Sequence, residues 1–182
     1  MCVTHTHGDH FGGIGTLPVL SYVNKIPLNI VLDKNSRHIS QVEAEVTNKG
    51  CQKDVSYVDF KDLANKFKAI KSAKYIPTTH SNDGVESHGI QFETPNGIIY
   101  YSGDTNAIEQ IKDYVKSKST IRVYSDLCDE QSASHITVEQ MEKHIPSKHR
   151  KKILAMHINE GFDEKRVEKL GIKTVKAPKY RE

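Results

Sequence analysis

Residues 5–10 read HTHGDH and contain four side chains that can bind a metal ion: His5, His7, Asp9 and His10. His5 and His7 lie two positions apart on a segment leading into a turn, so their side chains can point the same way. Asp9 and His10 continue around the turn and face the opposite side of the pocket. Imidazole and carboxylate groups are ligands that zinc accepts. Four such side chains within six residues are more ligands than a single ion needs from so short a stretch. The stretch therefore predicts a site for two metal ions.

The composition is that of an ordinary globular domain. The 182 residues are 36% hydrophobic and 27% charged, which favours one domain over residues 1–182. No stretch approaches the ~20 apolar residues of a membrane span, and the N-terminus carries no export signal. We therefore expect a cytoplasmic protein with no membrane partner. The net charge of +3 permits an anionic substrate without requiring nucleic acid.

Segments with helical and strand patterns alternate along the chain. The Asn96-Gly97 dipeptide, between two β-rich runs, predicts a hairpin with a two-residue type I′ turn. Thr137, with Gln140 three residues later, has the spacing of a capping box. We predict helices at about residues 14–23, 36–48, 107–117, 137–145 and 163–170. We predict strands within about residues 28–32, 55–60, 67–80, 88–104, 120–127, 151–158 and 173–178.

Three further candidate ligands follow predicted strands. His80 ends "AKYIPTTH", Asp104 lies in "YYSGDT", and His157 lies in "LAMHI". Taken singly, His80 or His157 is equally typical of a hydrogen-bonded structural histidine. Together with the H-x-H-x-D-H string, and in this order, they resemble the motifs of the metallo-β-lactamase-fold hydrolases.

The resemblance implies an α/β fold, a four-layer αββα sandwich, and a pair of divalent ions. Zinc is the expected metal by ligand type, with manganese or iron as alternatives. One ion would be held by His5, His7 and His80, the other by Asp9, His10 and His157, with Asp104 and a hydroxide between them.

The branch of the family is indicated by the late motifs. Lactamases of this fold often carry a cysteine among the late ligands and an arginine after the aspartate of the motif, where this chain has Asp104 and His10, so we do not expect a lactamase. The stretch "SDLCDEQSASHITVEQ" instead resembles the ribonuclease Z and phosphodiesterase branch. There, His135 would donate a proton to the leaving oxygen, supported by Asp126. A solvent-facing His135 before the helix cap and a surface Asp126 remain alternative interpretations.

Family members normally carry several strands ahead of the H-x-H-x-D-H string, whereas this chain has four residues there. The resemblance therefore predicts an N-terminally shortened sandwich with a thin first β-layer. Unpaired backbone groups or apolar surface at such a layer favour a partner chain. We expect a homodimer or a shortened gene product.

The expected reaction is hydrolysis of a phosphodiester. Hydroxide held by the ions would attack phosphorus, Asp9 could orient its proton, and His135 would protonate the leaving group. The 23 residues between His80 and Asp104 leave no room for the protruding arm of many ribonuclease Z enzymes. A small anionic phosphodiester such as a cyclic nucleotide is thus at least as favoured as RNA. A thioesterase or lactonase of the same fold, or a truncated non-catalytic metal-binding module, are the alternatives.

Overall fold

The computed structural model describes residues 1–32, 38–48, 55–81, 84–129, 131–159 and 161–176. The helices of this part are α1 (Gly8–Phe11), α2 (Leu17–Asn24), α3 (His38–Asn48), α4 (Leu63–Lys66), α5 (Ile108–Lys116), α6 (Val138–His144), α7 (Ser147–Arg150) and α8 (Glu164–Lys169). The strands are β1 (Leu28–Leu32), β2 (Val55–Asp59), β3 (Ser72–Thr78), β4 (Ser87–Thr94), β5 (Gly97–Tyr101), β6 (Thr120–Asp126), β7 (Ile153–Met156) and β8 (Lys173–Thr174).

The strands form two sheets. β1 and β2 pair in parallel, while the larger sheet has six strands in the order β3-β4-β5-β6-β7-β8. Its first three strands are antiparallel, and β5 to β8 are parallel. Parallel neighbours need crossover connections, which α5, α6 with α7, and α8 provide. The larger sheet is therefore mixed.

Strand β1 separates two layers of core because its side chains alternate. Ile30 is buried against Val42 of α3, whereas Val31 is buried against residues of β4 such as Ile90. The two-stranded sheet thus lies between α3 and the larger sheet.

The opposite face of the larger sheet is covered by helices. Tyr100 of β5 is fully buried in a cluster with Ile111 of α5, Met141 of α6 and Val167 of α8. With the layers described above, the order is helix, sheet, sheet, helix. The prediction of a four-layer αββα sandwich is confirmed.

Two local predictions were wrong. Helix α2 begins at Leu17 rather than near residue 14, because Pro18 has no N–H and fits only in the first turn of a helix. The hairpin loop consists of Pro95 and Asn96, because Thr94 pairs with Gly97. Proline cannot take the positive φ of a type I′ turn, and the positive φ, 133°, falls on Gly97 instead.

Other elements match the predictions within a few residues. The helix predicted from about residue 36 is described from His38 to Asn48, and residue 36 lies outside the described residues. The last predicted strand, at about residues 173–178, is described as Lys173–Thr174, and residues 177 and 178 lie outside the described residues. The capping box is present, since Thr137 accepts from the Gln140 backbone N–H and the Gln140 side chain accepts from Thr137 N–H. None of the described helices is long and apolar enough to cross a membrane.

The N-terminal segment connects the two sheets. Cys2 forms a parallel bridge with Val31 of the small sheet, and two residues later the Thr4 carbonyl accepts a hydrogen bond from the His88 N–H at 3.1 Å. The Tyr75 hydroxyl of β3 donates to the Val3 carbonyl between these points. These contacts hold the backbone that leads into the histidine motif.

Candidate metal centre

The candidate ligands collect at one edge of the larger sheet. β3, β5, β6 and β7 all run in the same direction, so their carboxyl ends meet at that edge. His80 follows β3, Asp104 follows β5, and His157 follows β7. The motif of residues 5–10 reaches the same place from the N-terminal segment and α1. The fold therefore brings together side chains that are as much as 152 positions apart.

Three histidines form the first group. The ring nitrogens of His5, His7 and His80 can all lie within 4.8 Å of one another. His7 Nδ1 lies 3.1 Å from His80 Nε2. Two ligands of a tetrahedral zinc ion with Zn–N bonds of 2.0–2.1 Å lie about 3.3 Å apart, so this separation suits a shared cation.

The second group combines two histidines with two carboxylates: Asp9, His10, Asp104 and His157. His10 Nε2 lies 3.0 Å from Asp104 Oδ2 and 3.3 Å from Asp9 Oδ2. His157 Nε2 lies 3.6 Å from Asp9 Oδ2. Nitrogen and oxygen donors in this mixture suit zinc, iron or manganese.

Asp104 is shared by the two groups. Its Oδ2 lies 3.9 Å from His5 Nε2 and 3.9 Å from His80 Nε2, while its Oδ1 lies 3.6 Å from His157 Nδ1. Burial acts to raise the pKa of this carboxyl, but the hydrogen bond with His10 and the neighbouring imidazoles outweigh burial and lower the pKa. Asp104 is therefore an anion that lies between the two groups of candidate ligands.

His5 gives the sharpest test of whether the residues fit a metal. Its side chain is fully buried, and its Nε2 has no hydrogen-bond partner among the described residues. A buried nitrogen without a partner is costly unless something satisfies it. Burial, followed by the charge of His10, lowers the pKa of His5 to about 4, so the ring is neutral and its Nε2 can bind a cation. The donor set and its geometry fit a divalent metal ion.

The predicted proton donor lies beside both groups. His135 Nδ1 lies 2.7 Å from Asp126 Oδ2 and 4.0 Å from Asp104 Oδ2. Asp126 is fully buried at the end of β6, where its Oδ2 also accepts from the Thr105 N–H at 3.1 Å. The alternative of a surface Asp126 is therefore wrong. His135 is half-buried and faces the metal ligands rather than bulk solvent alone.

His157 has an unusual backbone. Its φ is 54°, in the left-handed region that residues other than glycine seldom adopt. Its Nδ1 lies 3.4 Å from Asp126 Oδ1, and this hydrogen bond raises the pKa of His157 to about 9 in the absence of metal. A metal ion at this nitrogen would compete with that proton.

A family model described as anti-Pycsar protein Apyc1 matches residues 1–180. The chain belongs to this family. A search of the curated proteins found no match to the Apyc1-family chain.

Solved structures share the fold of this Apyc1-family protein. The metallo-β-lactamase-fold protein YhfI from Bacillus subtilis is 14% identical with a TM-score of 0.67, and the match covers 97% of this chain and 73% of YhfI. A long-form RNase Z from yeast is 16% identical with a TM-score of 0.59, over 90% of this chain and 29% of that one. A diphosphatase of the PhnP family is 18% identical with a TM-score of 0.58, over 96% and 67%. The metallo-β-lactamase fold predicted from the sequence is confirmed.

The sequence did not reveal the groups that orient the ligands of this Apyc1-family site. The Thr4 hydroxyl lies 3.1 Å from His5 Nδ1, and His80 Nδ1 lies 2.9 Å from the Ser134 carbonyl. The Ser132 hydroxyl accepts from the His135 N–H at 3.0 Å and so shapes the loop before α6. A serine three residues before His135 is a local turn signal that was available in the sequence.

One further histidine is buried near the site. His88, the second residue of β4, is 6% exposed, and its ring packs 4.8 Å from that of Tyr75. Its backbone N–H donates to the Thr4 carbonyl, so the N-terminal segment lies against it. This burial results from packing of a distant segment, which a local sequence pattern cannot show.

Proposed function

We propose that the protein is a metal-dependent phosphodiesterase whose substrate is a small anionic phosphodiester, foremost a cyclic nucleotide. The observation that carries the proposal is the His135–Asp126 pair beside the two groups of metal ligands. An alkoxide leaving group needs a proton, and a histidine at this place can give one. The description of the family as anti-Pycsar favours a cyclic nucleotide over other phosphodiesters.

The metal ions would be held by the two groups of ligands, with Asp104 between them. When bound, two divalent ions activate water at neutral pH and neutralise the charge of a phosphodiester. Asp104 lies within 4 Å of ring nitrogens from both groups, which supports its position between the ions. Zinc is the metal we propose first, because histidine nitrogens are the majority of the donors.

The chain itself supplies the proton. The Asp126 carboxylate accepts a hydrogen bond from His135 Nδ1–H at 2.7 Å. His135 Nε2 is therefore the nitrogen that can transfer a proton to the substrate. The Thr105 N–H holds Asp126 Oδ2 from the other side. His135 is thus oriented to protonate the departing oxygen. Asp9, the more exposed of the two ligand carboxylates, can accept the proton of the attacking water.

Charge and shape both favour a small anion. Two divalent ions among neutral imidazoles, Asp9 and Asp104 leave a net positive charge, which attracts a phosphodiester. Most of the segment between β3 and Asp104 forms the β4–β5 hairpin, whose loop consists of Pro95 and Asn96. No long arm extends from this hairpin in the described residues, which supports a cyclic nucleotide over RNA.

The test uses His135 and two leaving groups. We expect zinc-loaded protein to hydrolyse a 3′,5′-cyclic mononucleotide, and chelator or Asp104→Ala to abolish turnover. His135→Gln should lower kcat for the cyclic nucleotide by about 10²–10⁴-fold, the usual contribution of a general acid. The same variant should lose less than about 10-fold with bis(p-nitrophenyl) phosphate, because nitrophenolate departs without a proton.

His149→Gln is the control, since His149 lies in α7 ahead of β7, at the edge of the sheet away from the ligands. Bound zinc is measured in every variant, so that loss of metal is not mistaken for loss of the acid. Equal losses on both substrates, with zinc retained, would contradict the role of His135. Hydrolysis of a thioester or lactone but of no phosphodiester would overturn the proposed function.

A further inference from the structure

Three loops that carry parts of the site meet at the side chain of Asn106, two residues after Asp104. Its amide Nδ2 donates to the Ala133 carbonyl at 2.7 Å and to the His80 carbonyl at 3.3 Å. On the other side of the amide, the Thr79 hydroxyl donates to Asn106 Oδ1. The side chain therefore joins the loop after β5 to the loop after β3 and to the loop before α6.

These contacts fix the orientation of the Asn106 amide. The Ala133 and His80 carbonyls accept hydrogen bonds but cannot donate them, so the amide nitrogen must face them. The main chain is held as well, since the Asn106 N–H donates to the Thr79 carbonyl at 2.9 Å and the Thr105 hydroxyl donates to the same carbonyl at 3.0 Å. Asn106 is thus a fixed donor to two separate loops.

The two members of the His135–Asp126 pair are held by consecutive residues of the loop after β5. The Thr105 N–H donates to Asp126 Oδ2 at 3.1 Å, which fixes the carboxylate. The Asn106 side chain holds the carbonyl of Ala133, two residues before His135. The separation of 2.7 Å between His135 Nδ1 and Asp126 Oδ2 therefore depends on both residues.

The loop before α6 carries the contact with Asn106 to His135 over a short distance. The Ser132 hydroxyl accepts from the N–H groups of Ser134 and His135 at 3.1 and 3.0 Å. Ala133 lies inside this turn. A shift of its carbonyl would therefore move the backbone of His135 with it.

We propose that Asn106 is a positioning residue for His135, which it holds where the imidazole can give its proton to the leaving oxygen. This role rests on the proposed function. The contact with Ala133 is shorter than the contact with His80, so loss of the donor should disturb the proton donor more than the candidate metal ligand. Asn106 itself touches neither the substrate nor the ions in this role.

The test is Asn106→Asp, which keeps the shape of the side chain. Aspartate retains an oxygen for the Thr79 hydroxyl, but its second oxygen faces the Ala133 and His80 carbonyls and cannot donate to them. We expect kcat for a 3′,5′-cyclic mononucleotide to fall about 10–100-fold, because small displacements of a catalytic group cost this much. KM for it should change less than about 3-fold, and turnover of bis(p-nitrophenyl) phosphate should fall less than about 5-fold.

Gln110→Glu is the matched control. Gln110 Oε1 accepts from the Tyr100 hydroxyl at 2.7 Å, and its Nε2 donates to the Pro77 carbonyl at 3.1 Å. The substitution therefore removes a donor to a carbonyl and adds a negative charge, as Asn106→Asp does. Because these contacts link α5 to β5 and β3, the control should keep kcat for both substrates within about 2-fold of wild type.

A double-mutant cycle with His135→Gln tests whether the effect passes through His135. In the His135→Gln background, Asn106→Asp should lower kcat for the cyclic nucleotide by less than about 3-fold, because the proton donor is already absent. The same loss in both backgrounds would overturn the proposal. Asn106→Ala removes the donor without adding charge and should show the same selective loss. A loss confined to Asn106→Asp would count against the role as a donor.

Two measurements do not depend on turnover. Bound zinc should be the same in Asn106→Asp and wild type. Hydrogen exchange of the His135 N–H should be about 10-fold faster in the variant, whereas exchange of the Val123 N–H, which donates to the Lys152 carbonyl, should not change. Unchanged exchange at His135 would overturn the proposal.

Failure of this proposal is distinguishable from failure of the proposed function. A wild-type protein that hydrolyses the cyclic nucleotide, with Asn106→Asp equally active, would overturn the role of Asn106 alone. A zinc-loaded wild-type protein that hydrolyses neither phosphodiester would overturn the proposed function and, with it, the role of Asn106 in catalysis.

Discussion

At the scale of single residues, burial and neighbouring groups act differently on the candidate ligands: the pKa values of His5 and Asp104 are lowered, whereas the pKa of His157 is raised. The seven candidate ligands could be proposed from the sequence because their types and order are distinctive. Thr4 and Ser134, which orient His5 and His80, could not, because these hydrogen bonds depend on how separate loops meet. Side-chain chemistry is visible in a sequence, whereas the partner of each nitrogen is a property of the assembled loops.

His5 predicts a pH dependence of folding in the metal-free protein. Its pKa is about 4 in the fold against 6.5 unperturbed, mainly because of burial. The unfolded chain therefore takes up the proton first, and the contribution of neutral His5 is present above pH 6.5 and lost as the pH falls towards 4. Between these values we expect about 1.4 kcal/mol of stability to be lost per pH unit from this residue.

Urea unfolding of chelator-treated protein at several pH values measures this loss. His5→Gln should flatten the slope, whatever its effect on stability at pH 7.5. His144→Gln is the control, because His144 is half-exposed on α6. Identical slopes for wild type and His5→Gln would show that His5 does not carry the effect.

At the scale of elements, most helices and strands were predicted, and the errors have local causes. Because of Pro18, α2 begins later in the chain than predicted, and because of Pro95 the hairpin loop is residues 95 and 96 rather than 96 and 97. The exposure of Leu20, Tyr22 and Val23 on α2 could not be predicted, because an apolar helical pattern ordinarily indicates a stripe that faces the core. Which face of a helix is covered depends on neighbours far along the chain.

Adding one methyl group at Gly103, in the turn after β5, should lower the stability of the protein strongly. Gly103 has φ of 61°, and a Cβ there would lie 2.6 Å from the His88 carbonyl oxygen and 3.2 Å from Thr4 Cβ. Gly103→Ala combines left-handed strain with a clash against backbone, so we expect a loss of about 2–4 kcal/mol. The clash would also push the N-terminal segment away from Asp104.

Gly84→Ala separates strain from crowding. Gly84 also has positive φ, 81°, but nothing lies within 4 Å of its added Cβ. Its loss should be about 1–2 kcal/mol, from strain alone. Chemical unfolding of both variants gives the comparison, and equal losses would mean that crowding by His88 and Thr4 is unimportant.

At the scale of the whole molecule, the candidate ligands come from segments that touch different layers. Residues 5–10 follow a segment bonded to β1 and β4, whereas His80, Asp104 and His157 end strands of the larger sheet. The layer order was predictable only through the resemblance to a known fold, because pairing between distant strands leaves little trace in local patterns. A metal bound here would join the N-terminal segment to the larger sheet.

Zinc should therefore stabilise the whole domain. At a free concentration 1,000 times the dissociation constant, we expect a gain of about 4 kcal/mol in the free energy of unfolding. His7→Gln should lose most of this gain at the same zinc concentration, because His7 shares the closest nitrogen pair with His80. His149→Gln should keep it.

The readout is thermal or urea unfolding with zinc added to chelator-treated protein. The same gain in His7→Gln as in wild type would exclude His7 as a ligand. No gain in any variant would mean that the nitrogen groups do not form a site coupled to folding.

The left-handed backbone of His157 has a consequence for inherited variation. A β-branched replacement at this codon disfavours the main-chain conformation as well as removing the imidazole, whereas glycine or asparagine removes only the imidazole. Alleles that are equally inactive should thus accumulate to different levels in the cell. In a deep mutational scan, all of these replacements at position 157 should therefore score as inactive, but the β-branched ones should also score as less abundant.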